Sequence, residues 1–201
     1  MKKVVIASNN PGKLREFAAL LAPLGIEAVA QSALNISEAD EPYDTFIENA
    51  LTKARHASRL SGLPAMADDS GICVSALGGA PGVYSARYAG EPKSDARNNA
   101  KLVKALRDVS QRRAFYYCSL VLVHSPDDAR PLIAEAAWHG EIVLEPRGAG
   151  GFGYDPYFWL AQLKCTAAQL PAEQKNRISH RGQALALLIE KLRAEIALGL
   201  V

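Results

Sequence analysis

Lys3-Val-Val-Ile-Ala-Ser8-Asn9-Asn10-Pro11-Gly12-Lys13-Leu14-Arg-Glu-Phe17-Ala18-Ala-Leu-Leu21-Ala-Pro-Leu24-Gly25-Ile26-Glu-Ala-Val-Ala30 is the stretch that decides the fold class. The β-branched run from Lys3 to Ser8 reads as a strand. Asn9 to Gly12 carries turn chemistry, and Leu14, Phe17, Ala18, Leu21 and Leu24 then recur at helical spacing. Gly25 stands where a helix C-cap belongs, and Ile26 to Ala30 resumes a strand. Strand, helix and strand in so short a span make a β-α-β unit.

The rest of the chain continues that alternation. Thr45-Phe-Ile-Glu48 is a capping-box pattern, with Glu48 expected to bond the backbone N–H of Thr45. Phe46, Ala50, Ala54, Ala57 and Leu60 follow on one helical face, which should end near Gly62 and Pro64. Ser94 to Arg107 reads as a further helix. Phe115 to His124 and Leu132 to Leu144 read as strands joined by a hairpin through Ser125-Pro-Asp-Asp. A Gly-rich loop, Gly148 to Gly153, leads into Tyr154-Asp155-Pro156. Ser179 caps a last helix that carries Leu185, Leu188, Ile189 and Leu192. There is no internal repeat or low-complexity linker, and a mixed α/β architecture follows, with its sheet order open.

Composition sets the surroundings. At 201 residues, 49% hydrophobic and 22% charged, the chain reads as an ordinary globular protein, one domain or two closely joined lobes. Folding at this length buries roughly 70% of the unfolded surface, so a real core is available. A net charge of +2 does not predict a nucleic acid polymer or a membrane as partner, and any anion site must be local. Cys73, Cys118 and Cys165 are widely spaced and form no CxxC pair, which argues against a disulfide framework or a zinc knuckle and fits a reduced, cytoplasmic setting. The N-terminus does not read as a signal peptide, and no stretch approaches the ~20 apolar residues of a membrane span.

Chemistry is concentrated in a few segments. In Ala65-Met-Ala-Asp68-Asp69-Ser70-Gly71-Ile-Cys-Val two adjacent carboxylates interrupt an apolar run. If the chain is extended there, the two point to opposite faces, one to a site and the other to a structural partner. Carboxylates beside a flexible glycine suit a hard divalent ion such as Mg²⁺, although the same residues also fit a turn. Ser8 to Lys13 offers backbone N–H groups, a helix N-terminus and a lysine to a phosphate; it equally fits a plain helix entrance with Pro11 in the first turn. It is not a P-loop, because Lys13 is followed by Leu14 rather than a hydroxyl residue. Glu41 and Glu48 could add carboxylates to the Asp pair. In Gly148 to Pro156 aromatic residues alternate with glycines. Phe152 could stack on a base and Asp155 could accept hydrogen bonds from a purine edge, or the aromatics could cap the core. Lys175, His180 and Arg181 gather cationic and hydrogen-bonding groups before the last helix.

Read in order, SNNPGK, TFIENALTKA, ADDSG, GGAPGVYSARYAG, GGFGYDP and SHRGQ resemble the inosine and xanthosine triphosphate pyrophosphatase family, whose substrates are non-standard purine nucleoside triphosphates. The resemblance runs from Val4 to about Leu188. It implies a single domain over 1–201: a two-lobed α/β fold around a long mixed β-sheet flanked by helices, with the active cleft between the lobes, usually as a homodimer. It also implies Mg²⁺-dependent cleavage of ITP, dITP and XTP to the monophosphate and pyrophosphate. Ser8, Asn9, Asn10, Pro11, Gly12 and Lys13 would then bind the triphosphate. Asp69 would accept the proton and, with Glu41, bind the metal. Ser70 would touch substrate, Phe152, Gly153, Tyr154 and Asp155 would form the base-binding loop, and Lys175, His180 and Arg181 would complete the nucleotide pocket. The chain departs from the family pattern at Glu41-Pro42-Tyr43, where Glu-Thr-Gly is commoner, and at Ala149, where Thr is frequent. Two other readings remain at this stage: a Maf-like pyrophosphatase for modified pyrimidine nucleotides, and a nucleotide- or RNA-binding module that uses the same loops without hydrolysis.

Overall fold

The computed structural model describes residues 1–200. The strands are β1 (Lys3–Ile6), β2 (Glu27–Ala30), β3 (Ala65–Val74), β4 (Arg113–Val123), β5 (Leu132–Ile142), β6 (Phe158–Leu160) and β7 (Cys165–Thr166). They form one seven-stranded sheet in the order β2-β1-β3-β4-β5-β6-β7. β1 runs parallel to β2 and β3, whereas β6 runs antiparallel to β5 and β7, so the sheet is mixed. The helices are α1 (Pro11–Leu21), α2 (Phe46–Ser61), α3 (Asp95–Leu106), α4 (Ala172–Ile178) and α5 (His180–Ala197).

The opening β-α-β unit forms as its residues dictate. Asn10 caps α1 with its side chain, and Pro11 occupies the first turn, where a missing N–H costs nothing. The α-helix stops at Leu21, short of Leu24, which sits in a 3₁₀ turn closed by Gly25 at φ 70°. Phe17 and Leu21 form the buried stripe of α1, and Ala18 is exposed. In α2 the buried apolar positions are all small, Ala50, Ala54 and Ala57, and they pack with Val5, Ala65, Ala67, Val121 and Val123. Leu60 turns away from that face and is exposed. The Thr45 cap also differs in one detail from the expected box. Its hydroxyl accepts from the Glu48 N–H at 3.3 Å and donates to Glu48 Oε2 at 2.5 Å, so the glutamate returns to the hydroxyl rather than to the backbone of Thr45.

The Asp68-Asp69 tract is not a turn. It lies inside β3, ten residues long and buried throughout except at the partly exposed Ser70. The sequence reading contained neither the short strands β6 and β7 nor the separate helix α4. Segments of two, three and seven residues give periodicity too little length to register.

The chain divides into two compact units: Met1–Asp69 with Cys118–Glu135 and the segment from Gln183 onward, and Ser70–Tyr117 with Ala136–Gly182. The first has the small-residue core already described. The second is built on large side chains, among them Ile72, Leu102, Leu106, Tyr116, Trp138, Tyr154 and Phe158.

Candidate active site

In the first unit the two aspartates are separated as strand alternation requires. Asp68 accepts two hydrogen bonds from Lys13 Nζ, at 2.8 and 2.9 Å. Asp69 points the other way, toward α2, where Asn49 Nδ2 donates to it at 3.2 Å and Lys53 Nζ stands 3.6 Å away. Lys53 also bonds Glu41 at 2.5 Å, so Glu41 and Asp69 share one ammonium. Asn49 and Lys53 are four residues apart on α2 and therefore lie on one face, toward Asp69. Asn49 further ties the preceding loop in place by bonding both the N–H and the carbonyl of Tyr43 at 3.0 Å.

These contacts tune the charges. Burial pushes the Asp69 carboxyl above the ordinary carboxylate range. Lys53 and the Asn49 hydrogen bond oppose that rise, and Glu41 and Asp68 add to it. Burial works against the Lys53 charge, but Asp69, Asp68 and Glu41 together outweigh it and hold the ammonium above its usual value. The result is a carboxylate of enhanced basicity beside a persistent cation.

The loop from Ser8 to Lys13 closes on itself. Asn10 Oδ1 accepts from the N–H groups of Gly12 and Lys13 at 2.8 and 3.2 Å, and Ser8 Oγ accepts from the Asn10 N–H at 3.2 Å. Asn9 donates to Glu38 and accepts from Gln31. An anion at this helix N-terminus must therefore displace the Asn10 side chain from donors it already holds. Lys13 is a partner of Asp68 rather than a solvated charge.

In the second unit Asp155 is the centre. It is 2% exposed and accepts from the Phe152 N–H at 2.8 Å, from Tyr116 Oη at 3.3 Å and from Lys175 Nζ. Through these bonds Asp155 ties the Phe152 N–H, the Tyr116 phenol and the Lys175 ammonium together and so shapes the loop. Gly151, at φ 74°, is needed because a Cβ there would fall on the Asp155 carboxylate. Phe152 is 59% exposed, with Lys175 Nζ 4.5 Å from its ring centroid. Tyr154 is buried and donates from its hydroxyl to the Ser85 carbonyl at 2.7 Å.

His180 and Arg181 open α5 and are both buried. His180 stacks on Tyr116 with ring centroids 4.8 Å apart and planes within 7°. Arg181 Nη2 donates to Ser70 Oγ at 3.2 Å, which joins two residues the sequence reading had singled out separately. Ser179 Oγ accepts from the Gly182 N–H at 3.2 Å, as a cap should. Gly182 has no alternative, since a Cβ would collide with the Asn176 carbonyl. Lys175 lies within α4 rather than in a loop before the last helix. Lys53, Asn49 and Tyr116 are among the members of these networks that sequence reasoning missed. For the first two, the available signal was a pair of polar residues at i, i+4 beside the alanine stripe of α2.

With this geometry in view, the chain's similarities carry meaning. The Ham1 family model matches residues 4–191. A dITP/XTP pyrophosphatase of Nitrosomonas europaea is 66% identical over 96% of this chain and 95% of its own. Another of Bordetella pertussis is 65% identical over 96% and 92%. Among solved structures, a HAM1 protein from Coxiella burnetii superposes with a TM-score of 0.93 at 46% identity, covering 96% of this chain and all of that one. The chain belongs to the Ham1 family.

Proposed function

We propose that the protein hydrolyses ITP, dITP and XTP to the corresponding monophosphate and pyrophosphate and so clears non-standard purine nucleotides from the cell's pool. The observation that carries this reading is Asp69, a buried carboxylate made more basic by its surroundings, fixed by Asn49 and paired with Lys53. The names of the relatives, dITP/XTP pyrophosphatases, point to the same bond and the same bases. No comparable support exists for a pyrimidine-directed Maf-like enzyme or for a binding module without hydrolysis.

In this mechanism Asp69 takes a proton from water as the water oxygen bonds to the α-phosphorus. The bond from the α-phosphorus to the bridging oxygen breaks, and pyrophosphate leaves with that electron pair. Lys13 and the Ser8 to Gly12 loop hold the triphosphate, and the Lys13 ammonium exchanges Asp68 for phosphate oxygens. Lys53 keeps Asp69 and Glu41 in place. Phe152 stacks on the base, while guanidinium donors of Arg181 meet the 6-oxo group of hypoxanthine or xanthine. The 6-amino group of adenine would leave such donors unpaired. Lys175 and His180 complete the nucleotide contacts.

Glu41 and Asp69 both reach the same ammonium, so an all-oxygen donor pair already converges on a cation. Such a pair fits Mg²⁺, and the chemistry that ion supplies is neutralisation of triphosphate charge. A single domain that pairs as a cytoplasmic homodimer completes the proposal.

The test is to incubate the pure protein with Mg²⁺ and, separately, ITP, XTP, GTP and ATP, then quantify monophosphate, pyrophosphate and orthophosphate. Monophosphate and pyrophosphate from ITP and XTP, with GTP and ATP spared and all turnover lost in EDTA, is the expected result. Orthophosphate with a diphosphate would overturn the assigned bond, and equal turnover of ATP would overturn the base selectivity.

A further inference from the structure

Gly153 is gripped at both of its backbone polar groups by side chains one helical turn apart. Asp95 Oδ2 accepts from the Gly153 N–H at 2.7 Å, and Asn99 Nδ2 donates to the Gly153 carbonyl at 2.9 Å. Asp95 and Asn99 are i, i+4 on the first turns of α3, so one rigid face supplies both. Gly153 itself has φ 61°, a left-handed conformation that leaves its N–H and carbonyl aimed at that face.

α3 is a fixed platform for this clasp. Ser94 caps it by accepting from the Arg97 N–H, and Leu102 and Leu106 anchor it in the core of the second unit. Its Asn98 accepts from the Ala89 N–H at 2.7 Å and donates to the Ala86 carbonyl at 3.0 Å. That holds the same segment whose Ser85 carbonyl receives the Tyr154 hydroxyl. Phe152 is thus bounded by Asp155 binding its own N–H and by α3 binding the residue that follows it. Phe152 is mostly exposed, with the Lys175 ammonium over its ring, so the placement of its backbone rests on these flanking bonds.

We infer that Asp95 and Asn99 are positioning residues that fix the Phe152 to Asp155 loop, and through it determine how tightly and how selectively a purine base is held. This rests on the reading of that loop as the base-binding element. Neither side chain needs to touch substrate. Their effect is on preorganisation: a loop that wanders spends binding energy on becoming ordered when the base arrives.

The experiment has two arms, both on the full chain. In the first, ¹H–¹⁵N spectra of the substrate-free protein follow the Gly153 amide in wild type, Asp95→Ala, Asp95→Asn and Asn99→Ala. An amide donating to a carboxylate resonates downfield; Asp95→Ala should move it upfield, while Asp95→Asn, which keeps an acceptor oxygen, should move it less. In the second, steady-state kinetics with ITP should give a KM raised about tenfold in Asp95→Ala, the worth of one charge-assisted hydrogen bond, with kcat within about twofold of wild type. Asp95→Asn should recover most of that loss, and the ITP-to-GTP preference should fall in both alanine variants. Asp95 is exposed and Ser94 still caps the helix, so Asp95→Ala should fold; Asn99→Ala tests the buried half of the clasp independently. An unmoved Gly153 amide would overturn the clasp, and a moved amide with unchanged KM and base preference would overturn its role in binding. A wild-type protein that leaves ITP and XTP intact would instead bring down the functional reading itself.

Discussion

Asp69 and Asp155 are both buried aspartates beside a lysine, yet the groups around them are arranged for different ends. Asp69 accepts from the Asn49 amide and stands beside an ammonium that it shares with Glu41. Asp155 is closed in by a backbone N–H, a phenol and an ammonium. In the first unit a second carboxylate competes for the cation, which leaves Asp69 with its carboxyl raised by burial. In the second, a backbone N–H, a phenol and an ammonium converge on a single carboxylate and tie the loop together. Burial alone therefore does not mark a reactive carboxylate. What the carboxylate is bonded to does: Asp69 shares its ammonium with a second carboxylate, whereas Asp155 binds the backbone of its own loop.

Asn in place of Asp separates the two most sharply. Asp69→Asn should lower kcat by at least about 10²-fold, the usual worth of a general base, with the melting temperature nearly unchanged. Asp155→Asn should do the converse. It strands the Lys175 ammonium, 13% exposed, against a neutral amide, and should cost about 3 kcal/mol of stability in chemical denaturation. If Asp69→Asn retained near-normal turnover, or if Asp155→Asn left stability intact, the contrast between the two sites would collapse.

The shared ammonium gives a finer test. Lys53 lowers the Asp69 carboxyl against the upward push of burial. Removing it in Lys53→Met lets the carboxyl rise further. Asp69 must be ionised to accept a proton, so the acid limb of the kcat/KM profile should move to higher pH, by a unit or so for the loss of a neighbouring charge. A limb that stays in place would mean that some other group governs it.

What the sequence made legible follows from the range of each interaction. The Thr45 cap and the Gly25 stop are bonds between near neighbours, and residue type alone announces them. The opposite facing of Asp68 and Asp69 follows from strand period once the tract is extended. The motif SHRGQ contained Arg181, but its meeting with Ser70 spans 111 positions and leaves no local trace. Lys53 was hidden as a polar residue in an amphipathic helix, where solvated lysines are the norm. Asp155 was visible, but its partner Tyr116 lies 39 residues upstream and leaves no local trace beside it.

That phenol gives the smallest effect and the most selective one. Burial, followed by the charge and hydrogen bonding of Asp155, pushes the Tyr116 hydroxyl well above its ordinary value. In the folded protein it stays protonated where the unfolded chain's tyrosine ionises, near pH 10. Above that pH the unfolded state binds fewer protons than the folded one, so this residue's contribution to stability is intact below about pH 10 and declines as pH rises, by at most about 1.4 kcal/mol per pH unit. Tyr116→Phe should lose about 1 kcal/mol at neutral pH with the hydrogen bond to Asp155, while the stack with His180 persists. Its stability should then fall less steeply than wild type between pH 10 and 11, so that the two denaturation curves converge. No corresponding alkaline convergence should follow from Asp69→Asn, which leaves the phenol and its partner in place. Curves that remain parallel would place the phenol in contact with water and remove Asp155 from the closed network to which its three donors assign it.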